Sequence, residues 1–222
     1  MNFSTHPPET KREEDFKLVY ADAALLVVEK PARLLSVPGR GPDKQDALIR
    51  RVQARYPDAL IVHRLDFDTS GLLVIARGKK IHRALSILFQ ERQTEKRYVA
   101  VVSGRLAPES GAIDLPIAVD WPNRPLHRVD FDAGKPSLTR YRAVEYDAEN
   151  DASRVELTPV TGRTHQLRVH MQAIGHAILG DPLYADDAVR AKAERLLLHA
   201  ATLAFAHPES GEFMQFESTA GF

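Results

Sequence analysis

Unbroken apolar runs alternate with short amphipathic stretches along this chain. Leu25-Leu26-Val27-Val28 and Leu72-Leu73-Val74-Ile75-Ala76 carry no charge and are rich in β-branched side chains, the pattern of strands buried on both faces. Leu18-Val19-Tyr20 precedes the first run across Ala21-Asp22-Ala23-Ala24, which predicts a hairpin ended by Lys30-Pro31. Residues 96–102 predict a strand apolar enough for a sheet interior, and 138–146 with 153–159 predict a second hairpin across Asp147-Ala148-Glu149-Asn150-Asp151. Residues 196–206 and 213–216 predict the last two strands. Helical spacing appears over 46–56, with Asp46 as cap and a stop at Tyr56-Pro57. It recurs over 79–93, where Ile81, Leu85, Leu88 and Phe89 form the buried stripe and basic residues lie opposite. A third helix is predicted after a cap at Thr161 or Thr164, and a short one over 187–195. Eight glycines and prolines between Gly104 and Pro136 break any long element there and predict short strands and loops.

Strands outnumber helices and are joined mostly by short connections. The expected class is therefore α+β, a predominantly antiparallel mixed sheet with flanking helices. The chain has 222 residues, 44% of them hydrophobic, enough for a substantial core. No apolar run nears the roughly 20 residues that cross a bilayer, and Met1-Asn2-Phe3-Ser4-Thr5-His6-Pro7-Pro8 lacks the apolar segment of a signal peptide, so the expected setting is cytoplasmic. Cysteine is absent, which removes disulfides, thiolate nucleophiles and cysteine-bearing zinc sites. Residues 1–17, polar and without sustained periodicity, are expected to form a flexible tail.

Net charge is zero, but its distribution is uneven. Residues 48–105 hold 12 basic and 5 acidic side chains, an excess that suits a polyanionic partner. Within that stretch lies His63-Arg64-Leu65-Asp66-Phe67-Asp68-Thr69-Ser70-Gly71-Leu72, ionisable groups and turn formers placed just before a buried strand. Asp66 at the mouth of such a strand is a candidate nucleophile or general base; on its residues alone the loop also suits a plain turn. His165 and His170, with His199 and His207 further on, raise metal binding as a rival. Residues five apart on a helix point about 140° from each other, poorly placed to grip one ion. A metal-dependent phosphodiesterase using Asp66, Asp68 and these histidines is the corresponding rival enzyme.

His63-Arg64-Leu65-Asp66 followed by Thr69-Ser70-Gly71-Leu72 resembles the catalytic motif of the RluA family of pseudouridine synthases. Lys96-Arg97-Tyr98 resembles the family's second motif, and Thr161 to Met171, with Gln166-Leu167-Arg168 at its centre, resembles the third. The resemblance covers nearly everything from residue 18 to 222. It implies the pseudouridine synthase fold, a sheet in two halves with Asp66 in the cleft between them, and no separate N-terminal RNA-binding domain. It implies that Asp66 is the essential catalytic residue, that Tyr98 stacks on the target base, and that Arg168 pairs with Asp66. Arg64 is implied to fill the space vacated by a flipped uridine, with His63, Thr69 and Arg163 also binding substrate. No cofactor or metal is implied. Asp120-Trp121-Pro122-Asn123-Arg124-Pro125 and Gly134-Lys135-Pro136 narrow the likeness to a dual-specificity branch, whose implied partners are a 23S ribosomal RNA hairpin and tRNA anticodon stem-loops. Trp121 beside Arg124 suits either a contact with unpaired bases or a buried anchor. A monomer is expected. A noncatalytic RNA-binding module on the same scaffold is the second rival.

Overall fold

Two parallel residue pairs join the halves of this protein's sheet. The computed structural model describes residues 16–222. The first half contains β1 (Lys17–Ala21), β2 (Leu25–Lys30), α1 (Leu48–Gln53), β3 (Ala59–Ile61), β4 (Ser70–Arg77) and α2 (Gly78–Gln90). The second contains β5 (Thr94–Ser103), β6 (Ser110–Asp114), β7 (Ile117–Val119), β8 (His127–Val129), β9 (Leu138–Asp147), β10 (Ala152–Pro159), α3 (Gln166–Ala173), α4 (Asp187–Ala191), β11 (Leu198–Ala206) and β12 (Phe213–Glu217). The main sheet runs β1-β2-β4-β11-β5-β10-β9-β6, with β3 on β4 and β12 on β11, while β7 and β8 form a separate ribbon. The expected mixed, predominantly antiparallel α+β architecture is what the chain adopts: among the named strands of the described residues only β4 with β11 is parallel, through His199 opposite Ser70 and Ala200 opposite Gly71.

Burial explains why some strands are unbroken apolar runs and others alternate. Leu26, Val28, Leu73 and Ile75 face Leu48 and Val52 of α1, whereas Leu25, Val27, Leu72 and Val74 face Ile81 and Leu85 of α2. With helices on both sides, β2 and β4 have no polar face to show. In the second half, Ala100, Val102, Val155, Leu157 and Leu198 pack against Leu167 and Met171 of α3. The opposite face carries charge: Arg97 reaches Glu156 at 3.2 Å, and Arg142 reaches the same carboxylate at 2.6 Å.

Several boundaries differ from the sequence expectation for identifiable reasons. Phe16 is buried under the Arg55 guanidinium and β1 begins at Lys17, so the last two residues of the expected tail belong to the fold. Residues 1–15 of that tail lie outside the described residues. Asp46 does not cap α1. Leu48 and Ile49 donate their N–H groups to the carbonyls of Leu35 and Ser36, and Asp46 is drawn into a two-bond pair with Arg51 instead. α2 stops at Gln90 because Arg92 turns left-handed (φ 59°) and the Gln93 N–H folds back to the Leu88 carbonyl. α4 ends at Ala191, capped by Asp186, whose side chain accepts from the Val189 N–H at 2.8 Å.

Gly71 is the residue that lets β4 and β11 meet. Its φ is +115°, and a Cβ built there would lie 2.3 Å from the Ala200 carbonyl oxygen. Gly78, with φ +79°, has open space at the same place. Gly71→Ala is therefore expected to destabilise by more than about 3 kcal/mol, through contact and conformation together, and Gly78→Ala by about 1 kcal/mol, through conformation alone. Urea unfolding of both variants checks this; equal losses would mean that the close approach to β11 carries no cost.

Candidate active site

The loop before β4 is bound to its surroundings at both ends. Thr69, buried, donates its N–H to the Asp66 carbonyl at 3.2 Å and closes a turn. Leu34 N–H donates to the Phe67 carbonyl, and Ser36 Oγ both donates to the Leu65 carbonyl at 2.7 Å and accepts from the Leu65 N–H at 3.1 Å. Lys30, fully buried, donates from Nζ to the carbonyls of Pro31, Leu34 and Phe67 at 2.8, 2.8 and 3.1 Å. Three ammonium donors thus meet three acceptors. Burial pulls Lys30 down to about 7, against the opposing pull of Asp66 and Asp68. Asp68 itself is raised by burial, with Arg168 acting in the opposite direction.

Facing this loop is α3, entered in a way the sequence did not indicate. Neither Thr161 nor Thr164 caps it; His165 occupies the cap position in a left-handed conformation (φ 56°). The turn is closed from inside by Gln166, whose Oε1 accepts from Thr161 Oγ1 and the Arg163 N–H, while its Nε2 donates to the Leu138 carbonyl and Thr139 Oγ1. Arg168 is thereby held at 2% exposure. Its two-bond grip is on Asp181, not Asp66: Nε donates to Oδ2 at 2.8 Å and Nη2 to Oδ1 at 2.6 Å. Nη1 lies 3.5 Å from Asp66 Oδ2, an ion pair longer than a charge-assisted hydrogen bond. Burial works against the Arg168 charge, and Asp181's hydrogen bonding and charge outweigh it. Asp66 keeps a quarter of its side chain exposed.

Three residues outside the expected set complete the arrangement. Asp181 is fully buried and also accepts the N–H groups of Leu183 and Tyr184. Tyr184 lays its ring 5.1 Å from the Arg168 guanidinium, accepts the His127 N–H at 2.9 Å and pairs through its hydroxyl with His165 Nδ1 at 2.7 Å. Lys30 is the third. Asp181's local turn chemistry is readable from Gly180-Asp181-Pro182, but its partner stands thirteen residues away on a helix, and no local pattern announces that.

The loop, α3 and β5 line one cleft of about 1550 Å³, larger than a single small-ligand site. His63, Arg64, Asp66, Thr69, Tyr98, Arg163 and Arg168 all lie on its wall. Tyr98 packs against both the α1 core and the α3 core, and burial, with the Asp66 charge adding, pushes its hydroxyl well above the usual range. His63 stacks on Phe89 with ring centres 4.3 Å apart and accepts the Val74 N–H at Nε2, so its ring braces the wall. Arg64 is exposed. Arg163 is exposed and reaches the Pro136 carbonyl at 3.4 Å.

The basic excess of 48–105 does not gather around Asp66. Of its twelve cations only Arg64, Arg92 and Lys96 line the cleft, while Arg77 and Arg97 are taken up by Asp58 and Glu156 and Lys80 by Glu209. Arg33, Lys44, Arg163 and Arg168 come from elsewhere in the chain to make the wall cationic against Asp43, Asp46, Asp66 and Asp68. Trp121 is 68% exposed with Arg124 stacked 3.5 Å from its ring, which excludes the buried-anchor reading. The four histidines weighed as ligands are dispersed: His165 meets Tyr184, His170 sits between Thr139 and the Leu115 carbonyl, His199 between Ser70 and Ser218, and His207 against Asp22. Among the described residues no group of three His, Asp or Glu is placed to hold an ion, and no helix is long and apolar enough to cross a membrane.

A carboxylate set beside a clamped, buried guanidinium and a neutral tyrosine, in a broad cationic cleft, defines an α+β protein built for nucleophilic or acid–base chemistry on a large anionic molecule. Residues 24–173 match the family described as RNA pseudouridylate synthase. The chain is 49% identical over 217 residues to the dual-specificity RNA pseudouridine synthase RluA of Escherichia coli K12, covering 98% of this chain and 97% of that protein. It is 48% identical to the protein of the same name from Yersinia pestis, over 92% of this chain and 99% of that one. Human RNA pseudouridylate synthase domain containing 1 shares the fold with a TM-score of 0.77 at 29% identity, across 95% of this chain and 86% of its own. The chain belongs to the RluA family of RNA pseudouridine synthases.

Asp181→Asn removes the charge that clamps Arg168 and leaves Asp66 as the guanidinium's remaining carboxylate. Breaking this buried pair is expected to lower stability by about 3 kcal/mol and to reduce turnover more than substrate affinity, measured by urea unfolding and single-turnover kinetics.

Acid lability is a further expectation. Burial holds His63 down to about 3 and His165 to about 4, and lowers His170 and His199 as well. The unfolded chain, with histidines near 6.5, then takes up more protons as pH drops. Stability is full above about pH 6.5 and drains away as pH falls towards the values these rings hold in the folded chain. The urea midpoint should fall from pH 7 to pH 5; a flat profile would mean that these rings are not held neutral.

Proposed function

We propose that this protein converts uridine to pseudouridine in structured RNA, with Asp66 as the group that acts at C1′. The observation carrying this is the placement of Asp66 in an open cationic cleft, 3.5 Å from an arginine already neutralised by Asp181. The C1′–N1 bond breaks, the uracil turns, C1′ joins C5, the C5 proton leaves and N1 gains one. The conversion is redox-neutral and consumes no second substrate. Asp66 acts either as nucleophile or as the base of a glycal route, both through the same carboxylate. Arg168 pairs with Asp66 at 3.5 Å and helps to place it, and Tyr98 supports the base.

A uridine within a stem-loop hides C1′ and C5, so it must be extruded at a cost of a few kcal/mol. Arg64, exposed at the cleft wall, fills the vacated stack; Thr69 and Arg163 border the nucleotide, and His63 supports that wall. The dual-specificity name of the relatives supports two RNA substrates; a 23S ribosomal RNA hairpin and tRNA anticodon stem-loops are the two that the motif resemblance implies. The catalytic unit, which includes the folded residues 16–222, works as a cytoplasmic monomer.

Transcripts carrying tritium at uridine C5 test the reaction. Native protein should release the label without added metal. Asp66→Asn should lower release by more than about 10³-fold while still binding RNA. Binding without release from any transcript would replace the enzyme with an RNA-binding module.

A further inference from the structure

A second cavity of about 380 Å³ adjoins the cleft, between the turn after β2 and the segment from α4 to β11. Arg33, Asp68 and Pro182 line both hollows, so the smaller one shares a wall with the catalytic loop. Arg33 and Arg195 both border it. Arg33 Nη2 donates to the Glu194 carbonyl, and Arg195 Nη1 donates to the Leu196 carbonyl at 3.1 Å and to Ser70 Oγ at 3.4 Å, with its guanidinium 5.0 Å over the Phe222 ring. Among the described residues neither has a carboxylate within 4.0 Å, and their other N–H donors have no protein acceptor. Burial lowers Arg195, and the like charge of Arg33 adds to that. Two guanidiniums are thus held near each other with no carboxylate in contact, although Asp68 on the same wall feels the Arg33 charge.

Arg33 also stands at φ +60°, a left-handed conformation that glycine adopts freely and other residues adopt at a cost. A strained arginine in a turn beside a catalytic loop points to a use for its side chain. We infer that Arg33 and Arg195 form a clamp for one backbone phosphodiester of the bound RNA, adjacent to the nucleotide held in the main cleft. Planar guanidiniums match phosphate oxygens in pairs, and a diester supplies the contacting acceptors that no carboxylate gives these two side chains. Asp68, Asp187 and Glu194 share the lining with Arg190. These carboxylates disfavour a free polyanion and suit a single charge delivered by RNA already docked next door. The clamp rests on the RNA-modifying reading of the cleft.

Arg33→Gly tests it without threatening the fold, because glycine suits that backbone. Thermal stability should be unchanged or higher. Affinity for an anticodon stem-loop should fall about tenfold, and the slope of log affinity against log salt should shrink by about 0.7 to 0.9. Arg33→Lys should recover part of both. Neutral methylphosphonates placed singly along the RNA should reveal one position whose substitution weakens native protein and adds nothing in Arg33→Gly. Native affinity and slope in Arg33→Gly, or methylphosphonate losses equal in both proteins at every position, overturn the clamp. C5-tritium release by native protein is followed in parallel. Binding without release defeats the proposed reaction and leaves the clamp decided by affinity and slope; no RNA binding at all defeats both.

Discussion

The contact of Gly71 with Ala200 is the constraint on which the rest of the molecule depends. The sheet halves meet through two parallel pairs, backed by Leu203 and Phe205 of β11 packing into the α2 core, and only a residue without a side chain can sit against the Ala200 carbonyl. β4 starts one residue earlier, and the loop that enters it beside this junction carries Asp66 on the cleft wall. Lys30, Ser36 and Leu34 then hold the loop's backbone by hydrogen bonds from the β2 side, and so set the position of its carboxylate.

Arg168 stands between two carboxylates that it treats differently. Asp181 takes the short paired bonds and keeps the guanidinium charged in a buried place, while Asp66 is left at 3.5 Å with part of its surface open. A carboxylate locked in two short bonds would be well placed and poorly reactive. One that feels the charge without being gripped remains able to approach a reacting atom. The fold thus separates holding the arginine from serving the reaction.

A chain of zero net charge makes a cationic cleft by distributing its ion pairs. Arginines on the solvent face of the second half are paired with Glu156 and others, and Lys80 with Glu209, away from the site. The cations that line the cleft come from the turn after β2, the segment before α1, the catalytic loop, the end of α2, β5, the approach to α3 and α3 itself. Charge counted along the chain located a basic stretch; charge counted in space locates a different set.

Local pattern was enough for much of this. The doubly buried strands, the second hairpin, the breaker-rich middle and the α+β class all follow from hydrophobic periodicity and turn residues, because those report burial and backbone preference one neighbour at a time. The loop around Asp66 was legible because ionisable residues beside turn formers before a buried strand are unusual, and its spacing matched a known motif. Only the folded chain decided that Asp181, not Asp66, clamps Arg168, that Tyr184 and Lys30 belong to the site, that Asp46 leaves α1 to be capped by the carbonyls of Leu35 and Ser36, and that His165 opens α3. Each of these is a bond between groups far apart along the chain or on different elements. A sequence states which groups can donate, accept or carry charge, whereas which of them meet depends on how the two sheet halves close on one another at Gly71.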